Sequence, residues 1–198
     1  MLKKAEQINA YIELLLRYNA THNLLKRNTK QEIIDNDVKD ILPFYSEFKS
    51  AERVLDYGSG AGIPGILLAI EHPNINFVIA ESIQKKAFFI KKVAQHIGLL
   101  NTTVLQARIS KDTMLEPFDI ITNRAVSTTN TTIKNSKHLL KKTGFYLLFK
   151  GKDKTINQEL ANTNRRYSIT KNNLIINKER NLLKIYNCLL YTSPSPRD

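Results

Sequence analysis

DYGSGAGIPG, residues Asp56 to Gly65, sets four glycines within eight positions, directly after Arg53-Val54-Leu55. A strand ending at Tyr57 and a helix beginning near Ile63 would leave Gly58, Gly60 and Gly62 in the turn, with Gly65 in the helix's first turns. Glycine reaches positive φ and has no Cβ, so such a turn lets a ligand lie against the backbone. Pro64 suits the start of a helix, where its missing N–H matters least.

Outward from this loop the period keeps changing. RVLDY is followed by a helical stretch over 63–72, NFVIAE by one over 83–98, then come TTVLQA and FDIITN, a helix over about 129–141, FYLLFK and a helix near 153–163. Strands alternating with helices predict βαβ units and a parallel sheet. The end differs: NNLIIN and NLLKIYN, separated by Lys178-Glu179-Arg180, read as an antiparallel hairpin. The expected architecture is α/β, a Rossmann-like, mostly parallel seven-stranded sheet closed by an antiparallel C-terminal hairpin, the order of class I methyltransferases. Before it, residues 4–18 carry Ile8, Ile12, Leu15 and Leu16 at helical spacing, and residues 30–48 read as helical with an interruption at Pro43. The expected division is a helical cap over 1–50 and a catalytic domain over 51–187.

The glycine loop lies at the carboxyl end of the first strand, where open α/β sheets bind ligands. A dinucleotide fingerprint has the same form. Asp56, two residues before the first glycine, is a poor neighbour for a pyrophosphate but can meet a cationic or hydroxylated ligand, directly or through water. Glu81, ending the second strand 25 residues after Asp56, can accept both hydroxyls of a ribose. S-adenosylmethionine has no phosphate and carries an ammonium and a sulfonium, so it fits this pair better than a dinucleotide does. The plainer alternative makes the glycines a tight turn, Asp56 a helix cap and Glu81 a solvated strand end.

The 198 residues carry a formal net charge of +12 and a pI near 9.7, with 42% hydrophobic and 24% charged residues. That charge points to a polyanionic partner, most simply nucleic acid, although Lys, Asn and Ile are abundant throughout, as an AT-rich genome would give. Lys134, Lys137 and Lys141 read as one helical face, and Lys85 and Lys92 as another, either solvated or in contact with phosphates. No run approaches the ~20 apolar residues of a membrane span, and Glu6, Gln7 and Asn9 break any signal-peptide core, so a cytoplasmic protein is expected. One cysteine, Cys188, excludes an internal disulfide, and His22, His72, His96 and His138 show no paired metal spacing, so no metal is expected. The last residues, CLLYTSPSPRD, break the compositional bias and match the translation of a transposase adapter used in sequencing libraries; 188–198 reads as a non-native tail.

NATHNLL, VLDYGSGAGIPGILLAI, ESIQKKAFFIKKV, FDIITNRA and FYLLFKGK together resemble the RsmG (GidB) family, from about Tyr11 to Asn187. The resemblance implies methyl transfer from S-adenosylmethionine to N7 of a guanine in bacterial 16S ribosomal RNA, bare or within the small-subunit particle; a monomer is expected. It further implies that Gly58 and Ile63 contact the cofactor, that Ile109 and Ser110 lie beside the adenine, that Arg124 sits in the cofactor pocket and that Lys150 faces the RNA. Asp56, Gly60 and Glu81 join the cofactor set; Arg124 and Lys150 are the candidate catalytic residues. Where that family has His-x-x-Asp-Ser, this chain has Asp37-Val38-Lys39-Asp40-Ile41: Asp40 is kept, the histidine and serine are not. The Ser110 position is commonly acidic in relatives. Guanine N7 offers an in-plane lone pair and no proton, so no general base is required, and the protein's task is positioning and electrostatics. Arginine's fork suits a carboxylate, a phosphate or the Hoogsteen edge of guanine; a structural ion pair at the strand end is the alternative. A methyltransferase for a small molecule or protein, a non-catalytic RNA-binding assembly factor and, least, a dehydrogenase stay open on these residues.

Overall fold

The computed structural model describes residues 2–161, 165–172 and 179–189. Helix α1 (Lys4–His22) opens the chain. A second helical run follows: α2 (Lys30–Ile33), a π turn over Ile34–Val38, α3 (Lys39–Ile41) and a 3-10 stretch over Leu42–Phe48. Thr29 and Glu32 close a capping box at its start, the Thr29 hydroxyl accepting Glu32 N–H at 3.1 Å and the Glu32 carboxylate accepting Thr29 N–H at 3.2 Å. Pro43 does not break this run. It stands in the first residues of the 3-10 stretch, where its fixed φ is tolerated.

The sheet is built from β1 (Arg53–Tyr57), β2 (Asn76–Ala80), β3 (Thr102–Leu105), β4 (Phe118–Arg124), β5 (Leu140–Lys150), β6 (Arg165–Lys171) and β7 (Asn181–Leu189). Between them run α4 (Gly65–Glu71), α5 (Gln84–His96), α6 (Thr129–Ser136) and α7 (Asp153–Leu160). Strand order is β3-β2-β1-β4-β5-β7-β6. The pairs from β3 through β5 are parallel, and β7 pairs antiparallel with both β5 and β6. The order reverses between β1 and β4, which makes their carboxyl ends the topological switch point.

Successive strand residues point to opposite faces. Val54, Phe77, Ile79, Ile120, Leu147, Phe149 and Leu182 enter a core shared with α1, the second helical run, α4 and α5. Leu55, Tyr57, Ile121, Tyr146, Leu148 and Leu183 enter the other core, with Ile156 and Leu160 of α7. The helical cap therefore packs over one face of the sheet, and α6 and α7 cover the other. Central strands buried on both faces read as continuous apolar runs, which explains RVLDY and FDIIT.

Two boundaries differ from expectation. The strand paired with β7 at the edge is Arg165–Lys171; of the expected NNLIIN, 173–177 lie outside the described residues. RRYSITK is an exposed edge strand whose pairing uses backbone, so its polar side chains hide it. The helix expected to reach 141 stops at Ser136, and Lys141 lies in β5, where it pairs with Asp119 at 2.7 Å. Lys134, Lys137 and Lys141 thus share no helical face. Cys188 and Leu189 of the expected tail continue β7, and the remainder lies outside the described residues.

Candidate functional site

A cavity of about 230 Å³ opens at the switch point. Tyr57 and Gly58 at the end of β1, Ile109 beyond β3, and Val126, Ser127 and Asn135 beyond β4 line it, together with Ser82, Ala107, Arg108 and Thr131. Of the expected site residues, Gly58 and Ile109 reach this wall.

Gly58 has φ +74°, and a Cβ there would lie 2.6 Å from a Val126 methyl. Only glycine therefore lets the loop after β1 approach the loop after β4. The N–H groups of Gly58 and Ser59 both bond the carbonyl of Ala80, at 2.9 and 3.0 Å, and tie the turn to β2. At Gly60 a Cβ would meet nothing within 4 Å. The loop has open space on that side.

Asp56 does not face the cavity. Alternation along β1 sends it to the cap side with Val54, while Tyr57 goes to the cavity side with Leu55. Asp56 is fully buried, and its Oδ2 accepts Gly65 N–H at 2.9 Å. A Cβ on Gly65 would stand 2.6 Å from that oxygen, so the fourth glycine makes room for the carboxylate. Burial raises Asp56 from 3.8 to about 7, and its Oδ1 has no hydrogen-bond partner. In this structure Asp56 braces the loop and the start of α4, as the plainer alternative of a helix cap expected. Ile63 likewise packs in the cap-side core.

Glu81 also turns to backbone. Its Oε2 accepts Gly60 N–H at 2.8 Å and its Oε1 accepts Ile83 N–H at 2.7 Å, so one carboxylate clamps the glycine loop to the start of α5. Each oxygen keeps a further lone pair for a hydroxyl donor. Ser110 closes a turn beyond Ile109: its N–H donates to the Thr113 hydroxyl at 2.9 Å and its own hydroxyl accepts Asp112 N–H at 3.2 Å.

Arg124 follows the same alternation to the cap side. It pairs with Asp37 through Nη2 and with Asp40 through Nε at 3.4 Å. Arg27 contacts Asp37 at 3.3 Å, and Arg180, just before β7, contacts Asp40 at 3.6 Å. The result is an alternating chain, Arg27–Asp37–Arg124–Asp40–Arg180, that joins the second helical run to β4 and β7. Both aspartates are almost wholly buried. Burial pushes Asp40 up, with Arg124 and Arg180 pulling it back. Asn172 adds bonds to the carbonyls of Lys39 and Asp40. Asp37 occupies the position expected to carry a histidine, and here it supplies the anion that Arg124 needs. The structure therefore places Arg124 in an ion-pair network beside the switch point, with its Nη1 left without a hydrogen-bond partner.

Lys150, on the opposite parity of β5, turns to α7. Its Nζ meets Glu159 at 2.9 Å and the Ser127 carbonyl at 3.4 Å. Glu159 also accepts Thr129 N–H at 2.9 Å. Burial pushes Glu159 up, but the bonds from Thr129 and Lys150 outweigh it and hold the carboxyl below its ordinary value. Lys150 thus holds the cavity-lining loop after β4 from behind and does not project outward.

Beyond the rest of the cavity wall, three side chains that hold the site went unnamed in the sequence reading. Tyr57 lines the cavity, and its hydroxyl accepts the Asn135 amide at 3.4 Å. Tyr11 of α1, fully buried, donates to the carbonyl of Ala61 at 3.0 Å and fixes the glycine loop to the cap. Asn123, at the cavity-side parity next to Arg124, donates to Thr132 at 2.8 Å and keeps a buried Oδ1 without a partner. Only Tyr57 carried a usable signal, its place next to the first glycine. Among the described residues no three His, Cys, Asp or Glu side chains gather as a metal site, and no helix is long and apolar enough to cross a membrane.

Comparison with known proteins adds the family. The GidB profile, described as rRNA small subunit methyltransferase G, matches residues 4–185. A ribosomal RNA small subunit methyltransferase G from Chromobacterium violaceum is 32% identical over 148 residues, covering 75% of this chain and 71% of that protein. The protein of the same name from Helicobacter pylori strain 26695 is 36% identical over 143 residues, covering 71% and 79%. Among solved structures, a cofactor-bound protein from MTB superposes with a TM-score of 0.66 at 18% identity, covering 90% of each chain. A SAM-dependent O-methyltransferase from Thermotoga maritima gives 0.62 at 13% identity, covering 88% of this chain and 71% of that one. Those two share the fold.

Proposed function

Because the chain belongs to the rRNA small subunit methyltransferase G family, we propose that it methylates N7 of a guanine in 16S ribosomal RNA with S-adenosylmethionine as donor. The observation that supports this reading is the cavity at the switch point, bounded by Gly58 and lined by neither a carboxylate nor a histidine. N7 carries no proton, so the reaction asks for no base there.

The residues present fit the donor. Gly58 and the open side of Gly60 leave the backbone bare, and Ile109 and Val126 supply apolar walls. Gly58, Gly60 and Ile109 would hold the cofactor directly, and Glu81 would add an acceptor for its ribose hydroxyls while clamping the loop. Asp56, Ile63 and Ser110 shape the walls from behind. When bound, S-adenosylmethionine supplies an electrophilic methyl group on a sulfonium. The chain's own work is to orient the guanine ring in line with that methyl, exclude water and ease the positive charge that develops on the ring. Arg124 and Lys150 act as positioning residues: Arg124 fixes the end of β4 against the cap, and Lys150 fixes the Ser127 carbonyl. The 1–50 segment serves as the lid of the cap-side core and 51–187 as the catalytic domain. The protein works as a monomer in the bacterial cytoplasm, where its substrate resides.

Purified protein, 16S ribosomal RNA and donor labelled in the methyl group provide the test. Label should enter the RNA, and borohydride–aniline treatment, which cleaves at N7-methylguanine, should cut at a single labelled guanine. Label at another atom, or none in RNA, overturns the proposal.

A further inference from the structure

A second groove lies outside the cavity, between α1 and α5. It encloses about 260 Å³ and is lined by Tyr18, His22, Gln84, Lys85 and Phe88. The helical period of α5 turns Ala87, Phe89, Ile90 and Val93 inward. Lys85, Phe88 and Lys92, at i, i+3 and i+7, are left on the outer face. Phe88 is 53% exposed, an aromatic ring in water on a helix whose other outward residues are largely lysines. Lys92 Nζ stands 5.5 Å from the centroid of that ring. Lys85 Nζ donates to the His22 carbonyl at 2.8 Å and so holds the end of α1 against α5. The rings of Tyr18 and His22 lie 5.7 Å apart on the other wall.

The groove is mechanically joined to the glycine loop. Glu81 holds Gly60 N–H with one oxygen and Ile83 N–H, at the entry to α5, with the other. Ser82, which lines the cavity, stands just before α5, and Phe88 lies on the outer face of that helix.

We infer that this groove is a stacking subsite for an unpaired nucleotide of the RNA substrate, with Phe88 as the platform and Lys85 and Lys92 as phosphate contacts. The inference rests on RNA being the substrate. Every base offers a π face, and aromatic side chains interleaved with cations are the chemistry by which single-stranded nucleic acid is held. No acidic side chain lines the groove. A second copy of the chain is a poor occupant, because it would bring Lys85, Lys91 and Lys92 of both copies together.

Filter binding to 16S ribosomal RNA over a salt series tests this with the full chain and its F88A, F88L, F88W and K92A variants. Calorimetry with S-adenosylhomocysteine gives a separate readout of the fold and the cavity. F88A and F88L should weaken RNA binding about five- to 150-fold, the equivalent of ~1–3 kcal/mol of base stacking. Their salt slope should stay unchanged, because no phosphate contact is lost. F88W should bind as the parent does, and K92A should lower the slope by about one. S-adenosylhomocysteine affinity should be unmoved in all. If F88A binds RNA as tightly as the parent, the stacking subsite falls and the RNA substrate stands. If the parent itself binds no 16S ribosomal RNA, both fall. Loss of S-adenosylhomocysteine binding in F88A, or a change from dimer to monomer in sedimentation without a change in RNA affinity, also overturns the subsite.

Discussion

The two faces of the sheet treat polar groups in opposite ways at the same carboxyl edge. On the cap side, the buried Asp37 and Asp40 are paired with Arg124, and the buried Asp56 is bound to backbone. On the cavity side, the wall is formed mostly by neutral groups, Tyr57, Ser127, Thr131 and Asn135, beside Arg108, and a single Lys150–Glu159 pair stands behind it. Neighbouring residues of one strand belong to different sides: Asp56 and Tyr57 on β1, Asn123 and Arg124 on β4. The linked chain of buried charges is locked where the helical cap supplies its partners. Groups that can exchange a partner for a ligand stand where the cavity is.

The largest effect should come from breaking the cap-side lock. Arg124→Met leaves Asp37 and Asp40 with only their outer partners, and removing one member of a buried pair typically costs about 3–5 kcal/mol. Urea unfolding should show a loss of that order. Asp37→Asn in the same background should add little, because the pair is already gone. Full additivity of the two would show that the network carries no coupling.

The contrast sharpens with pH. Asp56 has a folded pKa of about 7 against an ordinary 3.8. A carboxyl raised by folding binds its proton more tightly in the native state, so its contribution is present in full below pH 4. It is lost as pH rises through about 7. Over that window the loss is about 4 kcal/mol, at ~1.4 kcal/mol per unit. Asp56→Asn keeps an oxygen for Gly65 N–H and removes the titration. The variant should gain on the parent as pH rises from 4 to 7 in thermal unfolding monitored by circular dichroism. An unchanged difference across that range would place Asp56 in contact with water.

Strand alternation was already legible in the sequence, and it dictates all three displaced side chains. Asp56 shares the parity of Val54, Arg124 that of Ile120, and Lys150 that of Leu148. The alternation of strands and helices and the loop's place at the end of β1 followed from the periodicity, and the order of strands from the likeness to class I methyltransferases. Which face would carry the cavity did not, because that depends on Val126 closing over Gly58 and on α6 delivering Asn135 to Tyr57, contacts between segments far apart in the chain. The edge strand RRYSITK went unread because its side chains are polar and its pairing uses backbone. The ion pairs of the cap left only Asp37-Val38-Lys39-Asp40 as a trace, and nothing in that spacing names Arg124 as the partner.

Lys150 gives the smallest effect and the finest division between the faces. Its partner Glu159 lies on the same cavity side, and Glu159 keeps the Thr129 N–H when the lysine is gone. Lys150→Met therefore leaves no bare buried charge, and its cost should be about 1 kcal/mol, nearer an exposed pair than the Arg124 network. What it loosens is the Ser127 carbonyl, hence the loop that lines the cavity. Steady-state kinetics should show a higher KM for the methyl donor, a nearly unchanged KM for RNA and a modest fall in kcat. A raised KM for RNA with donor affinity intact would mean that the ammonium leaves Glu159 for a phosphate during turnover. Lys150 would then belong with the residues that touch the substrate.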